Sequence, residues 1–174
     1  QLTTSINTNS QYKSNINDAV NWLDATDDAL SSLTNVLQRV RELMISSGNA
    51  AYGSDESASI NKEINERVSE ITQILNSNFD GRYIFGGTKT TSKPLDVVQN
   101  PTTKNYDIKF IDKEGKPIDL ESADLDQVRL ADSLASNLSV EVSKGVNIDY
   151  NVTAMGILRF RSDAVEYVDV LSLL

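Results

Sequence analysis

The stretch Asp27-Asp28-Ala29-Leu30-Ser31-Ser32-Leu33-Thr34-Asn35-Val36-Leu37-Gln38-Arg39-Val40-Arg41-Glu42-Leu43-Met44 decides the fold. Leu30, Leu33, Leu37, Val40 and Met44 recur at alternating steps of three and four, the spacing of a coiled-coil seam. With Ile16 at position a, the a sites are Asn9, Ile16, Leu23, Leu30, Leu37 and Met44. The d sites are Tyr12, Ala19, Thr26, Leu33, Val40 and Ser47, and the intervening residues are largely polar or acidic. No Gly or Pro occurs before Gly48. The pattern predicts one helix over 1–47, roughly 65 Å long, far beyond the usual globular helix.

Outward from that helix, Gly48-Asn49-Ala50-Ala51-Tyr52-Gly53 is a break. Ser54 is the expected cap of a second helix, with Asp55 and Glu56 at its positive end. Ile60, Ile64, Val68, Ile71, Ile74 and Leu75 form its stripe, and the helix is expected to run to about Phe79. The short connection predicts an antiparallel helix pair. The second helix is too short to cover the first, so further helix is expected there, from the C-terminal end or from sequence outside this chain. From Ile157 the tail reads as helical, with Asp163-Ala164-Val165-Glu166 as an acidic capping box and Val165, Val168 and Leu171 as a stripe.

Between Tyr83 and Val152 the period falls to two. Tyr106, Ile108 and Phe110 alternate with charged residues, as do Val140 and Val142, then Val146, Ile148, Tyr150 and Val152 with polar ones. Parity selects three-residue loops. Ser143-Lys144-Gly145 pairs Val142 with Val146 and Val140 with Ile148 and keeps one face apolar. Lys113-Glu114-Gly115 likewise pairs Phe110 with Ile118 and Asp112 with Lys116. Residues 121–136 fit either strand or short helix. The fold class is therefore α+β, a long rod of antiparallel, coiled-coil-like helices (1–86 and 155–174) carrying an inserted antiparallel β domain (87–154).

Composition removes most chemistry. The 174 residues include no Cys and no His, which excludes disulfides, thiolate nucleophiles, imidazole bases and ordinary Zn, Cu or haem ligation. A net charge of -9 argues against a nucleic-acid partner. No apolar run approaches the roughly 18 residues of a membrane span. Residues 1–80 carry 5 basic and 11 acidic side chains, a solvated or neighbour-contacting face. A start at Gln1 and an end inside Val170-Leu171-Ser172-Leu173-Leu174 read as a piece of a longer chain.

Gly81-Arg82-Tyr83-Ile84-Phe85-Gly86-Gly87-Thr88 has P-loop glycine spacing, but Gly87 replaces the phosphate-binding lysine and the motif follows a helix. Asp112-Lys113-Glu114-Gly115-Lys116 is a poor calcium loop, with Lys116 at a ligand position, and reads as a turn. The carboxylate pairs Asp27-Asp28, Asp55-Glu56 and Asp124/Asp126 lie on helix surfaces, at a cap or in an expected loop, with nothing to set them across a cleft. No catalytic, cofactor-binding or metal-binding residue is assigned, and no enzymatic activity or cofactor is expected.

Three stretches carry a resemblance. Asn15-Ile16-Asn17-Asp18-Ala19-Val20-Asn21-Trp22-Leu23, with Asp27-Asp28-Ala29-Leu30, and Leu37-Gln38-Arg39-Val40-Arg41-Glu42-Leu43 resemble the N-terminal helical region shared by flagellins and their junction relatives. The Arg82-Tyr83-Ile84-Phe85-Gly86-Gly87 form resembles the hook-associated protein 3 branch, the hook–filament junction proteins, where flagellins usually carry Phe-Asn-Gly and a leucine pair. The similarity covers residues 10 to 90, and Val146 to Thr153 resembles the family's exit strand.

The resemblance implies a structural protein of the bacterial flagellum, outside the cell, exported unfolded through the flagellar type III channel with an export chaperone. It implies a ring of subunits between the first hook-associated protein and flagellin. The alternative within the family is a short flagellin. It further implies that Gly81, Arg82, Tyr83, Phe85, Gly86 and Gly87 are signature residues. The Gly86-Gly87 pair is expected to mark the hinge between rod and β domain, with Tyr83, Ile84 and Phe85 plugging the end of the helix pair. Gln38, Arg39, Arg41 and Glu42 match the flagellin segment read by an innate immune receptor. The competing reading is that the two arginines only pair with acidic neighbours on the rod. Without the family's terminal helices this chain is expected to be monomeric.

Overall fold

The computed structural model describes residues 2–48, 53–162 and 165–169. Helix α1 runs Leu2–Ser47 and α2 runs Ser54–Leu75, side by side as the sequence predicts. Two short strands follow, β1 (Asn78–Phe79) and β2 (Arg82–Tyr83), then the hairpin β3 (Leu95–Gln99) and β4 (Tyr106–Phe110). Helix α3 spans Leu125–Ala135, β5 Ser139–Ser143, β6 Val146–Asp149 and α4 Ala154–Leu158. The described chain ends in β7 (Arg159–Ser162) and β8 (Val165–Asp169). Each sheet is a two-stranded antiparallel hairpin.

The seven-residue period of α1 holds, but its phase differs from the expected one. The buried positions are Ala19, Trp22, Thr26, Ala29, Leu33, Val36, Val40 and Leu43. Their steps alternate three and four, so the d sites stay and Trp22, Ala29, Val36 and Leu43 replace the a sites. Ile16, Leu23 and Met44 are 42%, 43% and 40% exposed, while Leu30 and Leu37 are half-buried against the core. Small Ala19 and Ala29 are in the buried seam, whereas a count of apolar bulk favours the leucines beside it. The buried threonines of the two long helices are satisfied inside their own helices: Thr26 Oγ1 donates to the Trp22 carbonyl at 2.8 Å and Thr72 Oγ1 to that of Val68 at 3.0 Å.

Helix α2 buries Val68, Ile71, Thr72 and Leu75. Its N-cap is Gly53, which has no side chain to cap with, and Ser54, expected as the cap, is the first helical residue, so the helix starts one place earlier than expected. Asp55 and Glu56 occupy the first turn. The helix stops at Leu75, short of Phe79. Asn76 caps it, and Asp80 (φ 49°) and Gly81 (φ 74°) form a two-residue turn that folds Phe79 back onto Arg82.

Both expected hairpin registers recur in part. Ile111 bridges Pro117, the Ile118 amide donates to the Phe110 carbonyl at 2.8 Å and that of Asp112 to Lys116 at 2.9 Å, as parity required. The main partner of β4, however, is β3, in register Leu95↔Phe110 to Gln99↔Tyr106. Val140 pairs with Ile148, but a bulge after Glu141 moves the last pair to Ser143↔Val146, so Val142 does not oppose Val146. Gly145 takes the left-handed conformation (φ 75°) that such a short loop requires.

The tail departs from expectation. Where a helix is expected from Ile157, the described residues are helical only over Ala154–Leu158, and β7 and β8 pair from Arg159↔Asp169 to Ser162↔Val165. Val165, Tyr167 and Val168 are β-branched or aromatic and favour strand over helix. Asp163 and Ala164 of the expected capping box, and Leu171 of the stripe, lie outside the described residues.

One cluster of buried side chains joins the parts. It includes Trp22, Leu33 and Val40 of α1, Ile71 and Leu75 of α2, Leu95, Ile108 and Phe110 of the β3–β4 hairpin, Leu134 of α3 and Leu158 of α4. Trp22 meets Phe79 and Tyr150 edge-on, at ring separations of 6.3 and 5.8 Å.

Candidate functional site

Of the segment Gly81 to Thr88, Ile84 and Phe85 belong to this cluster, while Gly81 and Arg82 are exposed and Tyr83 is half-buried. Ile84 and Phe85 are almost fully buried, and Phe85 is the largest of the fully buried side chains. The segment is held by backbone. The Ile84 amide donates to the Ser77 carbonyl at 3.1 Å, that of Tyr83 to Thr90 at 2.9 Å, and that of Ala154 to Phe85 at 2.9 Å. The last bond ties the start of α4 to the segment that follows α2. Thr153 caps α4, accepting from the Gly156 amide at 3.0 Å.

Gly86 and Gly87 form a close-packed joint, not an open pivot. A Cβ on Gly86 would sit 2.4 Å from the Lys89 carbonyl oxygen. One on Gly87, where φ is 62°, would sit 2.3 Å from the Ser133 oxygen and 2.7 Å from that of Leu134. The absent side chains let the end of α3 seat directly on the joint, where the Thr88 amide and hydroxyl both donate to Ser133 O, at 2.8 and 3.0 Å. Beside it, Lys89 is pushed below the ordinary lysine pKa by burial, an effect Asp112 opposes, and its Nζ donates to the Lys93 carbonyl at 2.7 Å.

The geometry has no phosphate cradle. Gly81 sits in the β1–β2 turn and no helix starts at Thr88. Asp112 closes a turn by accepting from the amides of Glu114 at 2.8 Å and Lys116 at 2.9 Å. These backbone bonds, Lys116 first, hold its pKa below the usual carboxylate value. Asp124 is the N-cap of α3, accepting from Asp126 and Gln127, which explains a carboxylate pair that the sequence left in a loop. Among the described residues no three carboxylates gather as a metal site, and no helix is long and apolar enough to cross a membrane.

The second sequence-predicted surface, Gln38, Arg39, Arg41 and Glu42, lies on the exposed side of α1. Arg39 reaches Glu63 of α2 at 2.8 Å and Glu42 at 3.2 Å. The bond to Glu63, then that to Glu42, raises its pKa further. Arg39 therefore links the two helices, while Arg41 forms no ion pair among the described residues.

Sequence reasoning missed two side chains that fix the β3–β4 hairpin. Asn76 donates to the Leu95 carbonyl at 2.9 Å and accepts from the Leu95 amide at 3.2 Å. Asn65 donates to the Lys104 carbonyl at 3.3 Å and accepts from the Tyr106 amide at 2.9 Å. Their spacing of eleven, three helical turns, is the signal that was available.

The described residues form a pair of long helices carrying small β-hairpins on a tightly packed joint, the architecture of an α+β rod-like subunit. Comparison with known proteins agrees. Residues 1–90 match the bacterial flagellin N-terminal helical region, and the chain belongs to that family of non-enzymatic structural flagellar proteins. It is 31% identical over 111 residues to Flagellin 1 of Proteus mirabilis, covering 63% of this chain and 29% of that protein. It is 27% identical over 164 residues to the flagellin of Salmonella berta, covering 94% of this chain and 31% of that one. The chain thus spans about a third or less of these curated relatives. In fold it resembles FlgL of Xanthomonas campestris (TM-score 0.65, 19% identity, 90% of this chain, 42% of that one). It also resembles flagellar hook-associated protein 3 of Legionella pneumophila (TM-score 0.66, 18% identity, 90% and 40%).

Proposed function

We propose that this chain is the central part of a hook–filament junction protein, with residues 1–86 as rod and 87–154 as outer part. One observation carries the reading. The Arg82-Tyr83-Ile84-Phe85-Gly86-Gly87 segment, the form that resembles junction proteins, is the packed joint on which α3 and α4 meet the helix pair. Solved chains of similar fold include FlgL and hook-associated protein 3. On this reading the full-length protein is exported with a chaperone, acts outside the cell and forms a ring between the first hook-associated protein and flagellin. This chain by itself is monomeric.

A short flagellin is the second reading, favoured by the flagellins among its curated relatives. Purified full-length protein added to hook–basal bodies that carry the first hook-associated protein separates the two. A junction protein stops after a short zone and then supports growth of added flagellin. Long filaments from this protein alone would establish the flagellin reading and end the junction one.

A further inference from the structure

We propose that Asn65 and Asn76 form a two-point strap holding the β3–β4 hairpin to α2, with Asn76 the fixed end and Asn65 the end that opens. Both asparagines use the side-chain amide as a short stretch of β backbone, giving one N–H and taking one in return. They stand about 16 Å apart along α2. Their targets are four residue pairs apart on the ladder, about 13 Å, so the two spans differ by only about 3 Å, which the asparagine side chains bridge. The amides of Leu95 and Tyr106 are spent on the asparagines, so each strand has an outward-pointing N–H covered by a side chain instead of another strand.

The two ends differ in what lies beneath them. At the base, Leu95, Ile108 and Phe110 are buried in the common core. At the tip nothing comparable packs. Val98 and Tyr106 are 40% and 36% exposed, and a cleft of about 640 Å³ lies between the tip and α2, lined by Asn61, Lys62, Ser69, Thr103 and Tyr106 and crossed by Asn65. The loop is shaped for this latch at a conformational cost. Lys104 holds φ 63°, uncommon for a residue with a side chain, and its carbonyl takes the Asn65 donor together with Gln99 Nε2 at 3.2 Å. Releasing Asn65 frees residues 98–106 while the core keeps the base in place. The inference is independent of which flagellar role the protein has.

Residue-resolved amide hydrogen exchange on this chain and on Asn65→Ala tests it. The Tyr106 amide should exchange about tenfold faster or more in the variant, while those of Leu95 and Ile71 stay within about twofold of the parent. Three results would overturn the strap. They are a Tyr106 amide accelerated by less than about threefold, a Leu95 amide that loosens in parallel with it, or a variant that no longer folds. The first makes Asn65 incidental, the second makes the hairpin one rigid body, and the third makes Asn65 part of the fold itself.

Discussion

Gly87→Ala is the sharpest test of the joint. The backbone at position 87 has φ 62°, where an alanine costs about 1–2 kcal/mol relative to its preferred region. The new Cβ would stand 2.3 Å from the Ser133 oxygen, 2.7 Å from the Leu134 oxygen and 2.8 Å from the Leu134 carbonyl carbon. All three are backbone atoms and cannot rotate away, so the end of α3 must move. That movement breaks two hydrogen bonds from Thr88 to Ser133, worth about 1 kcal/mol each. It also loosens Leu134, which is fully buried. The loss should total about 3–5 kcal/mol, a large share of a domain's stability. Gly145→Ala is the control. Its φ is 75° but nothing lies within 4 Å of the added Cβ, so only the backbone cost applies, about 1–2 kcal/mol. Urea titrations of the two variants with matched slopes give the difference directly. Losses that agree within about 0.5 kcal/mol would refute the close packing and restore the pair as an open hinge. For the same reason a Gly86→Val/Gly87→Val double variant should lose stability before it shows any altered domain orientation.

Leu33→Asp should destabilise by about 4 kcal/mol or more, and Leu30→Asp by clearly less, because Leu33 is buried and Leu30 lies on the flank of the seam; thermal melts that rank them the other way would return the helix to its first expected phase. Asp124→Ala removes the two cap bonds of α3 and should cost about 1 kcal/mol in chemical unfolding, with no loss from the equally acidic but non-capping Asp28→Ala beyond about 0.5 kcal/mol. Asp112 has a folded pKa below its unfolded one, so its contribution is present above the unfolded value and is lost as pH falls through the folded value. Stability measured between about pH 5 and about pH 2 should therefore fall less in Asp112→Asn than in the parent, and equal slopes would show that the turn bonds are not formed in solution.

Local periodicity was legible because it needs only near neighbours, and phase was not because it needs distant ones. The alternating steps of α1 follow from the sequence of that helix. Which side of the steps is covered depends on α2 and on the rings of Phe79 and Tyr150 that meet Trp22. Strand β3 escaped notice because Leu95-Asp96-Val97-Val98-Gln99 does not alternate strictly; the turn signal Asn100-Pro101 ahead of the alternating Tyr106, Ile108 and Phe110 would have exposed it. The tail fits two periods at once. Val165 and Val168 are three apart, as in a helix, and Val165 and Tyr167 two apart, as in a strand, so the pairing with Arg159–Ser162 decides between them. The glycine joint shows the same limit most sharply. Two adjacent glycines specify that something bulky is absent, but not whether open space or another backbone takes its place. Here the answer is the carbonyl of Ser133, 46 positions further along the chain, which turns a motif that reads as freedom into a close-packed contact with no room for a side chain.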